Sequence, residues 1–320
     1  MNVFEKLTRF VQRVFKTNLE IFLEALKLSP NAQGYVSGSI TELLLKKKLE
    51  EEYAIELCRI REKWEGKKHP NHHGDFYFRK PNSNYWYVLE SKGIKSNSEK
   101  WHKLYNYENL KNFLINHHEK TRWINTCDEV EQQVVNWISD NLPRFNSDYS
   151  LLDLYEYEEV QKYQSKRETK KSIHVSKLKG CSRDEINCMI EERLSYLNSR
   201  IKVLETHFVS GTSASSQRTQ ATPRKDEFNI ISIDIFLKHK EHKFVFANPK
   251  NLDSSGDDAN HLQQNYIMGF VFVDEQGNSI LKITDEWYED FNEVYNTLGF
   301  ADSIRFEDMQ IDNRYTAGDK

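Results

Sequence analysis

The chain has 320 residues, of which 38% are apolar, 29% charged and 12% aromatic, with a net charge of −4 and a mean hydropathy of −0.77. Its length suffices for a substantial core, as one large domain or two smaller ones, and its aromatic content excludes a disordered chain. No run approaches the roughly 18 apolar residues of a membrane span, and Glu5, Lys6 and Arg9 interrupt any early apolar segment of the signal-peptide kind.

From the amino terminus, Leu7, Phe10, Val11, Val14, Phe15, Ile21, Phe22 and Leu26 recur at helical spacing and predict a helix over 3–28, broken by Pro30 and Gly34. A second helix is expected from Ser39 to about Trp64, through Ile40, Leu43, Leu44, Leu49 and Ile55. The polar loop Glu65 to His73 then leads to two strands, Gly74-Asp75-Phe76-Tyr77-Phe78 and Tyr85 to Lys92, joined by a turn over Arg79 to Asn84. Further helices are predicted at 98–120, capped by Ser96 or Asn97, at 128–140 and at 183–206, with an acidic, tyrosine-rich segment at 148–164. Val209 to Phe228, rich in Ser and Thr, reads as a flexible loop or linker. Strands follow at 230–237, 244–247, 267–273 and 279–283, the last two joined by a turn at Gln276-Gly277-Asn278, and then a helix at 285–298. These elements divide the chain into 1–208, a catalytic region with a helical extension; 209–227, the linker; and 228–320, a smaller strand-rich module that could serve DNA recognition.

The chemistry concentrates at the hairpin. Side chains alternate along a strand, so Glu90 and Lys92 share one face while Ser91 points to the other. Twisted strands can bring Asp75 beside them. Two carboxylates and one ammonium on a sheet edge can hold a hard divalent cation and an attacking water, the chemistry of metal-dependent phosphodiester hydrolysis. Other acid–x–Lys triplets exist, at Glu65-Gly66-Lys67, Glu168-Thr169-Lys170 and Glu241-His242-Lys243, but none closes an apolar strand that follows a strand opened by Asp. Glu42 has two readings that do not exclude each other. It is an acid on the helix before the hairpin, and Ser39-Ile40-Thr41-Glu42 has the spacing of a capping box. His69, His72 and His73 fit a solvated loop flanking the site better than a zinc or HNH-type centre, which needs a finger fold with spaced ligands. Cys58, Cys127, Cys181 and Cys188 lack zinc-site spacing and read as ordinary thiols of a reducing cytosol.

Asp75, Glu90 and Lys92 across a hairpin, preceded by a helix bearing Glu42, resemble the PD-(D/E)XK nuclease superfamily, most of all its type II restriction endonucleases. The likeness covers roughly residues 35 to 120, and Gly74 stands where the motif's name has Pro. It implies an α/β fold, with a restriction-endonuclease-like mixed central sheet flanked by helices. It also implies Mg²⁺ as cofactor, held by Asp75 and Glu90 with Glu42 as a further ligand. Lys92 would orient or deprotonate the water, or offset charge on the phosphate. The activity implied is sequence-specific cleavage of double-stranded DNA to 5′-phosphate ends, by a homodimer matching a two-fold target, in the cytoplasm of a prokaryotic cell. Candidate DNA contacts are Lys95, Ser96 and Asn97 after the site, Lys170 and Lys171 in a basic run, and Arg218, Arg224 and Lys225 in the linker. The polar loop Asn248 to Asn265 fits a recognition surface or an ordinary surface loop, the latter by a small margin. Two alternatives stay open: a superfamily nuclease of a repair, transposition or defence system, and a non-catalytic DNA-binding protein whose hairpin is structural.

Overall fold

The computed structural model describes residues 2–61, 63–64, 67–68, 73–94, 107–120, 124, 129–141, 179–186, 188, 201–208, 222–236, 238–239, 241–255, 258–273 and 278–312. Asn2 opens α1 (Val3–Phe15) with a reciprocal capping box to Glu5. The helix predicted over 3–28 is divided. Lys16 turns left-handed, at φ 54°, and Asn18 caps a separate α2 (Leu19–Leu28). The helix ends at Leu28, with Ser29 extended before Pro30 as the proline predicts, but Gly34, also expected as a break, interrupts nothing. Pro30 takes the first turn of α3 (Pro30–Tyr53), where its missing N–H is no loss; Gly34 lies inside that helix, and Ser29 caps it. Ser39 is therefore mid-helix and caps nothing, which removes the capping-box reading of Glu42.

α3 ends at the left-handed Ala54, well short of the expected Trp64. In the remainder stand β1 (Glu56–Arg59) and the short pair β2 (Lys63–Trp64) and β3 (Lys67–Lys68). The predicted hairpin is present. β4 (Phe76–Arg79) and β5 (Tyr87–Gly93) pair antiparallel, with Phe76 opposite Leu89 and Phe78 opposite Tyr87. α4 (Tyr107–Asn116) and α5 (Val130–Asn141) follow, within the predicted 98–120 and close to the predicted 128–140. The segment 148–164 lies outside the described residues. The helix predicted over 183–206 holds only in part: 183–186 are helical, but β6 (Ile201–Glu205) is a strand.

β7 (Ile230–Asp234) runs parallel to β5, with Glu90 opposite Ile231 and Lys92 opposite Ile233, and β8 (Phe244–Ala247) is antiparallel to β7. The main sheet thus has the order β1-β4-β5-β7-β8, and two of its strands come from beyond residue 228. β9 (Ser254–Ser255) pairs with β10 (Asp258–Leu262), while β11 (Ile267–Val273) lies between β6 and β12 (Ser279–Ile283). A short α6 (Phe291–Tyr295), capped by Asp290, replaces the longer helix expected over 285–298.

Strand alternation sorts the core of this mixed α/β fold into two faces. Phe76, Phe78, Leu89 and Phe246 pack on Leu45 and Leu49 of α3 and on Phe291 of α6. Tyr77, Val88, Ile231 and Ile233 pack on the other side with Leu204, Met268 and Val271 of the smaller sheet. α4 and α5 cover that smaller sheet, with Leu114 and Val134 clustered on Val203 and Phe270. Among the described residues no helix is long and apolar enough to cross a membrane.

Candidate active site

Backbone pairing positions Asp75 before its side chain acts. Its N–H donates to the Leu89 carbonyl at 2.9 Å, and its own carbonyl accepts from the Ile60 N–H at 2.9 Å, so it sits between β1 and β5. Its Oδ2 accepts a 2.7 Å bond from the Ser91 N–H. Glu90 and Lys92, two residues apart on β5, lie on the same face and form an ion pair. Asp75, Glu90 and Lys92 therefore come together, as the strand pattern implies.

The electrostatics of the three are coupled. Burial pushes the Asp75 carboxyl up to about 6; Lys92 opposes this and Glu42 adds to it. Glu90 is more buried and is pushed up to about 8, by desolvation first and then by Asp75. Burial works against the charge on Lys92, yet Glu90 and Asp75 outweigh it and hold the ammonium above the ordinary lysine range. Two buried carboxylates, each with a second acid nearby that raises its pKa, form a site that gains from a cation.

Glu42 is near enough to act on both Asp75 and Lys92. Its Oε2 lies 2.5 Å from an Arg59 nitrogen, an ion pair without hydrogen-bond alignment. The residue before it is fixed more firmly. Thr41 donates a 2.8 Å bond to Oδ2 of Asp234, which is 2% exposed at the end of β7. His242 reaches the same oxygen at 2.6 Å and stacks on Phe236 at 4.2 Å. A buried tie from α3 to β7 thus sets the height of Glu42 above the sheet.

Beside the carboxylates opens a cavity of about 640 Å³, lined among others by Glu90, Lys92, His73, His207, Arg224 and His261. Two of its histidines, His207 and His261, come from the chain after residue 200 and were not anticipated. They sit next to β6 and on β10, in separate small sheets, and only the packing of those elements around one cavity with β5 reveals them. Arg224 reaches the rim, where Asp226 grips its guanidinium through two bonds of 2.8 and 2.7 Å. Lys225 instead ties its ammonium to the Leu252 carbonyl. The segment from Pro223 is anchored by backbone bonds to β10, Leu262 to Pro223 and Lys225 to Asn260, so the carboxyl end of the expected linker is built into the fold. Lys95, Ser96, Asn97, Lys170, Lys171 and Arg218 lie outside the described residues, as do His69 and His72.

A hard divalent cation suits the donor set. Asp75 and Glu90 offer carboxylate oxygens, the ligands that Mg²⁺ takes in ones and twos while keeping several waters. Among the described residues no group of three His, Cys, Asp or Glu side chains is placed to hold a metal ion, so a cation here would rest on the carboxylate pair and water. Cys58, Cys181 and Cys188 are free thiols. No family model matches the chain, and no curated protein and no solved structure matches it either.

Proposed function

We propose that this protein is a Mg²⁺-dependent, sequence-specific endonuclease of the type II restriction class, with a restriction-endonuclease-like fold. It would hydrolyse phosphodiester bonds of double-stranded DNA to 5′-phosphate ends inside a prokaryotic cell. The observation that carries this reading is the convergence of Asp75, Glu90 and Lys92 at neighbouring positions of one sheet, with Glu90 and Lys92 in the wall of a cavity. Asp75 and Glu90 would hold the cation, and Glu42, paired with Arg59, is the further acid close enough to act on Asp75. When bound, Mg²⁺ acidifies a water and offsets charge on phosphate oxygens. Lys92, kept protonated by its carboxylate neighbours, donates to the attacking water and to the negative charge that grows on the phosphate; it is a poor proton acceptor in that state. His73, His207 and His261 present imidazoles along the cavity in which a strand would lie.

The test is cleavage of mixed-sequence plasmid by purified protein. Cutting is expected with Mg²⁺ and not with EDTA. Asp75→Ala and Lys92→Ala should abolish it while sparing DNA binding in Ca²⁺. Discrete fragments support a restriction enzyme, and a smear favours a nuclease of a repair or defence system. Undiminished cutting by both variants removes the site assignment, and DNA binding with no cutting under any metal leaves a binding protein with a structural hairpin.

A further inference from the structure

α1 carries two apolar stripes and uses one. Val11 is fully buried, and Phe15 meets Phe22 of α2 at 5.0 Å. Val3, Leu7, Phe10 and Val14, spaced four, three and four residues apart, form a second stripe that remains 39–81% exposed. Such spacing is the seam that one helix presents to another. The same occurs on the next two helices. Ile21 and Leu28 of α2 are 57% and 75% exposed, and so are Val36, Ile40 and Leu43 of α3, at 42–59%, on the side opposite the buried Thr41, Leu45 and Leu49.

Between Val3 and Leu43 thirteen large apolar side chains stand exposed, against four elsewhere among the described residues. With a buried aromatic side chain worth about 150–250 Å², their exposed fractions amount to on the order of 1,000 Å². The largest apolar patch of a typical monomer is about 300–600 Å². A standard protein interface needs about 800 Å² from each partner.

Charge selects the occupant. α1 and its cap carry Lys6, Arg9, Arg13 and Lys16 against Glu5 alone, while α2 carries Glu20 and Glu24 against Lys27. A second copy meets both requirements at once, because in a two-fold contact the basic helix of each copy faces the acidic helix of the other. An anionic bilayer would attract α1 and repel Glu20 and Glu24. We propose that the bare faces of α1, α2 and α3 form the homodimer interface of this protein, with the α1 stripe of one copy seated on α2 and α3 of its partner.

The experiment is light scattering and sedimentation equilibrium on the full chain, without DNA or cation, so its outcome is separate from that of the cleavage assay. A dimer mass is expected. The double variant Leu7→Glu with Phe10→Glu should weaken association roughly tenfold or more, with far-UV circular dichroism as the check on folding. Arg9→Glu with Arg13→Glu, and separately Glu20→Lys with Glu24→Lys, should each weaken it. Combining all four should restore it, a recovery that keeps the test decisive should the first variant lose helix. A wild-type monomer at every concentration overturns the proposal. So does co-sedimentation of a monomeric protein with phosphatidylserine-containing vesicles, and so does a failure of the combined variant to recover.

Discussion

At Gly74 a Cβ would strike the Val88 side chain and lie 2.9 Å from the Leu89 carbonyl oxygen, so the residue before Asp75 can have no side chain here. Gly74→Ala is therefore expected to cost about 1–3 kcal/mol of stability, as overpacking does, measurable by urea denaturation. It should lower cleavage further than that loss explains, because the shift passes to Asp75. Protons make a second prediction. In the metal-free protein Asp75 and Glu90 are raised to about 6 and about 8, so the folded state keeps protons that the unfolded chain, with carboxyl pKa values near ~4, has released. Stability from these groups is thus full only below about pH 4 and is lost as pH rises from there through 6 toward 8. Denaturation in EDTA should show the decline, on the order of a few kcal/mol, and Glu90→Gln should flatten it. A wild-type stability that climbs with pH over the same interval would contradict the account. On the proposed function Mg²⁺ would compete with those protons, and its affinity should rise with pH across the same window.

At the scale of elements, α3 joins the fold to the chemistry. Lys46–Glu50, Lys47–Glu51 and Lys48–Glu52 pair at i,i+4 along its carboxyl half, which supports the helix by a few tenths of a kcal/mol each. Leu45 and Leu49 seat it on the sheet, and Thr41 fastens it to Asp234. Thr41→Val removes one of the bonds to a buried carboxylate and should cost about 1–3 kcal/mol, seen as a lowered Tm. Because Glu42 is the next residue, the same variant should, on the proposed function, also weaken Mg²⁺ affinity, with more Mg²⁺ needed for half-maximal cutting. An unchanged Mg²⁺ requirement would show that the position of Glu42 does not matter. The parallel pairing of β5 with β7 matters in another way: it surrounds Glu90 and Lys92 with Ile231 and Ile233, and this burial raises the carboxyl pKa values.

At the scale of the molecule, the chain closes one mixed sheet from segments on both sides of residue 209 and leaves its first three helices with bare apolar faces. A two-fold pair of copies would cover those faces and place two Asp75–Glu90–Lys92 sites in one particle, as cutting both strands of a duplex requires. The Leu7→Glu, Phe10→Glu double variant should accordingly shift plasmid products from linear toward nicked circles, as gel analysis would show. The sequence by itself determined the β4–β5 hairpin and the common face of Glu90 and Lys92, because period-two alternation is a local property of a strand. It also marked the strand β11 and the helix α5, whose apolar patterns are strong. It misread the end of α3, the strand β1 and the strand β6, where Leu57, Cys58 and Val203 owe their extended form to partners distant in the chain. Only the tertiary structure decided that Arg59 holds Glu42, that Asp234 anchors Thr41, and that His207 and His261 line the cavity beside Glu90. Those relations join residues many positions apart through the packing of a helix and two smaller sheets on the main sheet, and a pattern read along one segment carries no information about which distant segment will lie beside it.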